Sequence, residues 1–201
     1  MPQNHPLYDL SLSEMEISVF DLETTGLSPV QDRIIQFAVV PLFSMEIGVG
    51  YESKVHPGDD HLPLKDFIVS FTGVTTEAVQ SAPNISETLQ KYNSLVGTRV
   101  VAGHNIASFD LRFIRRAELR TGLEVQSDYY IDTLKIAYKI QKQGPYKLAD
   151  CARYYGIDVD ENNLHDALVD TTLCAKLLIE QIKDLANRDI VTFGDLIRFL
   201  S

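Results

Sequence analysis

Three short stretches, far apart in the chain, hold acidic side chains in arrangements that ask for a reason. In Phe20-Asp21-Leu22-Glu23-Thr24-Thr25-Gly26, the apolar run from Ile17 leads straight into two carboxylates. If that run is a strand, alternation puts Asp21 and Glu23 on one face, roughly 7 Å apart at Cα, with Leu22 on the other. Like charges so placed repel unless a cation sits between them, although a solvated strand end accounts for the pair equally well. The second stretch, Val100 to Asp110, reads as a strand, a tight loop and the first turn of a helix. Ser108 is the expected N-cap, and Asp110 lies near the positive end of the helix dipole. An acid there stabilises a helix without any chemical task.

The third stretch is His165-Asp166-Ala167-Leu168-Val169-Asp170-Thr171-Thr172. Inside one helix, five steps of about 100° would part His165 and Asp170 by about 140°. The two therefore converge only if His165 sits in the loop before the helix, with Asp166 as cap and Asp170 projecting from the second turn. A histidine titrating near neutrality suits proton transfer, yet a lone loop histidine is also an ordinary surface residue.

The elements that must position these side chains follow from periodicity. Ile17 to Asp21, Arg33 to Val40 and Val49 to Val55 are β-favouring runs parted by turn residues, and they suggest a three-strand meander. Asn84-Ile-Ser-Glu87 is a capping box opening a helix that stops at Gly97, and Arg99 to Ala102 is a buried strand. Helical patterns cover Ser108 to Thr121, Ile131 to Gln143, Lys147 to Tyr155 and, longest, Asp166 to about Ala186. A meander followed by β/α alternation implies an α/β fold with a mixed sheet and flanking helices. Residues 187–201 form a coda with a short helix after Thr192. Repeats, low-complexity runs and Gly/Ser linkers are absent, so one domain is expected.

Bulk properties narrow the partners. A chain of 201 residues with 45% hydrophobic content can bury a substantial core. Its net charge of −10 argues against holding long DNA on a broad basic surface. Acidic proteins still act on phosphodiesters where bound cations reverse the local field. Arg112, Arg115, Arg116 and Arg120 share much of one helical face, and Lys135, Lys139 and Lys142 another; each stripe is a solvated face, a phosphate guide or a partner surface. Cys151 and Cys174 are too few for a disulfide scaffold and read as reduced, packed residues. The longest apolar stretch, Phe37 to Phe43, is too short to span a bilayer, and the N-terminus lacks a secretion signal, so a cytoplasmic location is expected.

With these residues in view, the chain resembles the DnaQ-like DEDDh exonuclease family. The likeness rests on Asp21 to Leu27 (DLETTGL), His104 to Asp110 (HNIASFD) and His165 to Thr171 (HDALVDT), in the family's order and spacing. Phe71 to Pro83 and Ile131 to Leu134 also resemble family segments, and the whole likeness spans about residues 17–179. It implies a ribonuclease-H-like mixed sheet, with an exonuclease domain over 1–186 and a C-terminal tail or short helix over 187–201. It further implies that Asp21, Glu23, Asp110 and Asp170 hold two Mg²⁺ or Mn²⁺ ions, Asp21 bridging them, and that His165 is the general base. By the same likeness Thr24, Leu27, Asn105 and Phe109 position the terminal nucleotide, although ordinary packing explains these four as well.

The activity so implied is 3′-to-5′ exonuclease cleavage at a single-stranded DNA end, with a DNA polymerase subunit as an expected partner. RNA trimming by the same chemistry and a non-catalytic binding module are the alternatives. Other enzyme classes lack support: Gly48-Val49-Gly50 is only a fragment of a dinucleotide loop, and no phosphate-loop, zinc HExxH or GxSxG string occurs.

Overall fold

The computed structural model describes residues 6–125, 128–161 and 166–201. Its frame is one mixed sheet of β1 (Glu16–Thr24), β2 (Ile34–Phe43), β3 (Glu46–Ile47), β4 (Tyr51–Lys54), β5 (Val100–Gly103) and β6 (Tyr130–Asp132). The spatial order is β3-β2-β1-β5-β6, with β4 also paired to β2. The early strands are antiparallel, joined by a loop over residues 25–33 and by shorter turns after β2; β5 and β6 lie parallel to β1 because helical crossovers return the chain. The third strand of the expected meander is thus two short pieces.

Around the sheet lie α1 (Asp66–Thr72), α2 (Thr76–Gln80), α3 (Ile85–Val96), α4 (Asp110–Thr121), α5 (Thr133–Ile140), α6 (Leu148–Tyr154), α7 (Ala167–Ala186) and α8 (Phe193–Leu200). Alternation along β1 decides which helices meet which face. Ile17 and Val19 enter a core with Leu178 and Ile182 of α7 and Phe193 of α8. Phe20 and Leu22 enter the opposite core with Leu89 and Tyr92 of α3 and Ile114 of α4. There Phe20 meets Tyr92 edge to face at 5.3 Å, a contact worth about 0.5–1.5 kcal/mol beyond burial. Continued two and four residues past Val19, the same alternation aims Asp21 and Glu23 toward the α7 side.

Several boundaries depart from expectation. The Asn84 capping box forms as expected, and a second one, between Thr192 and Asp195, opens α8. Ser108 does not cap α4: Phe109 occupies the cap position, and the amides of Ser108 and Phe109 turn back on the carbonyl of Asn105. Asn105 has φ of 64°, and this left-handed residue starts the coil one turn early. Ile131 and Asp132 are strand rather than helix; Asp132 ends β6 and caps α5, which stops at Ile140. A three-residue strand is too short to show a period of its own. Helices α1 and α2, each under two turns, leave no readable period either. Cys151 and Cys174 are buried and free, and among the described residues no helix is long and apolar enough to cross a membrane.

Candidate active site

Strand β1 runs on past its parallel neighbour, whose pairing stops with Val19 opposite Ala102. On that open edge the amide of Leu22 donates to Asp110 Oδ1 at 3.2 Å. The chain approaches closely here: a Cβ at Gly103 would stand 2.9 Å from the carbonyl oxygen of Phe20. On its other edge β1 has a bulge at Glu23/Thr24, where Gln36 pairs with Glu23 and Ile34 with Thr24, leaving Ile35 over. Strand β1 thus delivers Asp21 and Glu23 to a place where regular pairing gives way.

Asp170 arrives from the other side. The carboxylate of Asp166 accepts from the amides of Leu168 and Val169, starting α7 so that Asp170 projects from its first turns. The four carboxylates then feel one another. Burial pushes the Asp21 carboxyl well above the usual carboxylate range, and Asp110, Glu23 and Asp170 push it further. Asp21 retains some exposed surface, yet it lies deep among surrounding atoms. Burial, then Asp170 and Asp110, raise Glu23 to about 8, against the weak opposing pull of Lys54. Asp110 is likewise raised to about 8 by burial, although its own amide and that of Leu22 favour its charged form.

Such a concentration of negative charge with so little cationic relief fits divalent cations, and its donors are hard carboxylate oxygens suited to Mg²⁺ or Mn²⁺. Among the described residues, no three acidic, histidine or cysteine side chains converge tightly enough to be a ready-made cage. The carboxylates share a field, and a cation would draw them together. His165 lies outside the described residues.

Of the other expected contacts, Thr24 is buried and its hydroxyl donates to the Gly26 carbonyl at 2.7 Å. Leu27 stands 85% exposed. Asn105 heads the left-handed turn, and Phe109 packs against Phe113 with ring centroids 5.0 Å apart.

The residues that hold this second loop escape sequence reasoning. Buried Asp132 accepts from the amides of Asn105 at 2.9 Å, Ala107 at 3.3 Å and Leu134 at 3.1 Å. Next to it, the Thr133 hydroxyl lies 2.9 Å from His104 Nδ1, 3.3 Å from the Gly103 carbonyl and 3.8 Å from Cys174 Sγ on α7. His104 Nε2 meets the Tyr146 carbonyl at 2.8 Å; a carbonyl only accepts, so this nitrogen carries the hydrogen. Burial lowers the His104 pKa, which favours the neutral ring. The signal available in advance was the Ile131 to Leu134 segment, which resembles a family segment but whose residues read locally as the start of a helix.

Three members of the basic stripes, Arg120, Lys135 and Lys139, have partners within the chain. Arg120 donates to the carbonyls of Pro29 at 2.9 Å and Val30 at 2.8 Å, gripping the loop after the first acidic pair. Lys135 lies over the Tyr130 ring, and Lys139 reaches the Ser201 carbonyl.

An antiparallel meander continued by parallel strands, with carboxylates gathered beside the end of its central strand, is a ribonuclease-H-like arrangement. The exonuclease family model, RNase T, matches residues 18–178, and the chain belongs to this family, among its DnaQ-like members. DNA polymerase III PolC-type of Bacillus cereus is 33% identical over 178 residues, 88% of this chain and 12% of that protein. The same polymerase type from Staphylococcus aureus is 31% identical over 194 residues, 96% of this chain and 13% of that protein. The chain thus spans about an eighth of the length of these relatives. Escherichia coli exonuclease I in complex with a dT13 oligonucleotide superposes with a TM-score of 0.73 at 21% identity, over 87% of this chain and 42% of that one. Exonuclease X in complex with 5′ overhanging duplex DNA gives 0.68 at 24% identity, over 85% and 93%. At these identities the superpositions show a common fold.

Proposed function

We propose that this chain is a metal-dependent 3′-to-5′ exonuclease that releases nucleoside monophosphates from DNA ends, working beside a polymerase in proofreading. The observation that carries the reading is the gathering of four carboxylates from three distant segments: burial raises the proton affinity of Asp21, Glu23 and Asp110, and repulsion from Asp110 and Asp170 raises Asp21 and Glu23 further. Asp21, Glu23, Asp110 and Asp170 would hold two Mg²⁺ or Mn²⁺ ions. A bound pair of such ions stabilises charge on the attacking and departing oxygens of a displacement at phosphorus.

The protein's own groups do the rest. Asp110 is held in place by the Leu22 amide, and His165 accepts the proton of the attacking water as general base. Thr24 and Asn105 orient the terminal nucleotide. Leu27, an apolar side chain left in water, and Phe109 pack on its base and sugar. DNA and a polymerase partner are favoured by the likeness to PolC-type polymerases. Net charge favours the same choice, because an acidic chain grips long substrates weakly unless they are delivered.

The test compares 3′-labelled single-stranded DNA, duplex DNA with a mismatched end, and RNA, each with Mg²⁺ or a chelator. Single-nucleotide products from DNA that vanish with chelator are expected. Internal fragments, or cleavage that persists in chelator, would overturn the reading.

A further inference from the structure

Glu23 has neighbours across the sheet as well as across the site. In register it pairs with Gln36 on β2, and Gln36 pairs in turn with Lys54 on β4. Paired residues share a face, so all three side chains stand on the side that α7 covers, together with Glu52 two residues before Lys54. Helix α7 lies close over this part of the sheet: a Cβ at Gly50, just before β4, would stand 2.7 Å from Leu168 Cδ1. Gln36 is fully buried; its Nε2 donates to Glu52 Oε2 at 3.3 Å, and its Oε1 has no partner among the described residues. The Lys54 side chain is only 29% exposed, and its Nζ stands 3.9 Å from Glu52 Oε1, too long for a hydrogen bond. A largely covered ammonium thus lies on the α7 face without a close acceptor among the described residues. Its charge reaches Glu23, where it favours the ionised form.

We propose that Lys54 is a substrate-contacting residue whose ammonium binds the phosphate that stays with the terminal nucleotide, before and after that nucleotide is cut free. The proposal rests on the nuclease reading above and adds to it a cation supplied by the chain itself. Charge balance selects a phosphate as the partner. Four carboxylates and two divalent cations cancel, so an incoming phosphodiester is an uncompensated anion, and hydrolysis to a monoester gives it a second negative charge. The reaction therefore builds charge on the phosphate, which an ammonium already in place stabilises. Beside Glu23 the same ammonium becomes surplus once cations neutralise that carboxylate, and the flexible lysine stem lets it turn to a neighbouring point charge. Two strand spacings, about 10 Å, separate Lys54 from Glu23 at Cα, a distance that an extended lysine covers in large part. Between them the unpaired Oε1 of Gln36 needs a donor, so this strip of the α7 face is built for polar occupants.

The experiment compares the wild type, Lys54→Met and Lys54→Arg. Calorimetry in Mn²⁺ with thymidine 5′-monophosphate and with thymidine reads the contact itself. Lys54→Met should bind the monophosphate roughly ten- to a hundredfold more weakly, the range for a hydrogen bond to a charged group, with thymidine unaffected. On a thymidine hexamer kcat/KM should fall by a similar factor, mainly through kcat, because the charge builds as the bond breaks. Mn²⁺ affinity without nucleotide should hold or tighten, since a repelling cation has left the neighbourhood of Glu23, and Lys54→Arg should recover most of the monophosphate binding. Monophosphate binding and cleavage unchanged in Lys54→Met would overturn the contact and leave the nuclease reading intact. Mn²⁺ affinity lost in parallel with monophosphate binding would do the same, marking Lys54 as a support of the carboxylates alone. Wild-type protein that cleaves no DNA or RNA oligomer would overturn both.

Discussion

The amide of Leu22 donates to Asp110 Oδ1 at 3.2 Å, joining two residues 88 positions apart. One hydrogen bond thereby ties the first acidic stretch to the second at the point where β1 has outrun its parallel neighbour. It also separates the two things Asp110 contributes, an acceptor for a backbone amide and a negative charge beside Asp21.

Asp110→Asn divides those contributions. The amide oxygen still accepts from Leu22, so the fold and its melting temperature should survive without added metal. The charge is lost, and cleavage should fall by more than about 100-fold, because even outer partners of metal ligands are worth 10- to 100-fold. Calorimetric titration with Mn²⁺ should show weakened binding, and Asp21→Ala should abolish both binding and turnover. Wild-type Mn²⁺ affinity in Asp110→Asn would remove this carboxylate from the ligand set.

The metal-free protein should lose stability as pH rises. Asp21, Glu23 and Asp110 hold protons more tightly in the fold than in the unfolded chain, where carboxylates titrate near 4. From about pH 4 to about pH 8, the range set by Glu23 and Asp110, the native state therefore binds more protons, so unfolding free energy declines across that window, and Asp21 adds to the decline in the same direction. Melting temperatures in chelator should drop from pH 5 to 8. Millimolar Mn²⁺ should raise them most at the alkaline end, since cations displace those protons. A chelator profile that climbs with pH would contradict the raised proton affinities.

Much of this is legible in the sequence, and the reason is periodicity. The common face of Asp21 and Glu23 follows from a two-residue repeat, the same repeat that sends Ile17 and Val19 into one core and Phe20 into the other. Asp166 as a cap and the Asn84 box follow from local hydrogen-bond chemistry. What stays hidden depends on contacts between distant segments. Asp132 looks like a helical residue until β6 forms beside β5 and turns its carboxylate toward the amides of Asn105 and Ala107. Arg120 looks like one of a charged row until the loop at Pro29 comes within its reach.

Asp132 and Thr133 should act together as a junction that sets Asp110 relative to Asp170. Thr133→Val keeps the shape and removes the hydroxyl that spans His104, Gly103 and Cys174, four residues beyond Asp170 on α7. It should cost about 1–3 kcal/mol by leaving His104 Nδ1 unsatisfied. Hydrogen exchange should quicken in residues 103–110, with kcat falling more than KM rises. Thr133→Ser retains the hydroxyl and should restore both. Equal exchange in Thr133→Val and the wild type would mean that the loop is held by Asp132 alone.

The contacts of Arg120 lie outside the acidic cluster but on the loop that carries Leu27. Its Nη2 donates to the carbonyls of Pro29 and Val30 while Nη1 reaches the Asp32 carbonyl at 3.4 Å, a spread of contacts that a planar fork of donors provides and a single ammonium does not. Arg120→Lys should therefore behave more like Arg120→Met than like the wild type. Either change should lower stability by only about 1 kcal/mol, since the site is largely exposed. The loop from residue 27 to 32 would be loosened, and KM for single-stranded DNA should rise severalfold with kcat nearly unchanged. If Arg120 instead met a phosphate directly, Arg120→Lys would retain most of the affinity and its KM would climb with salt as the wild type's does. Steady-state kinetics of the three proteins at two salt concentrations separate these outcomes.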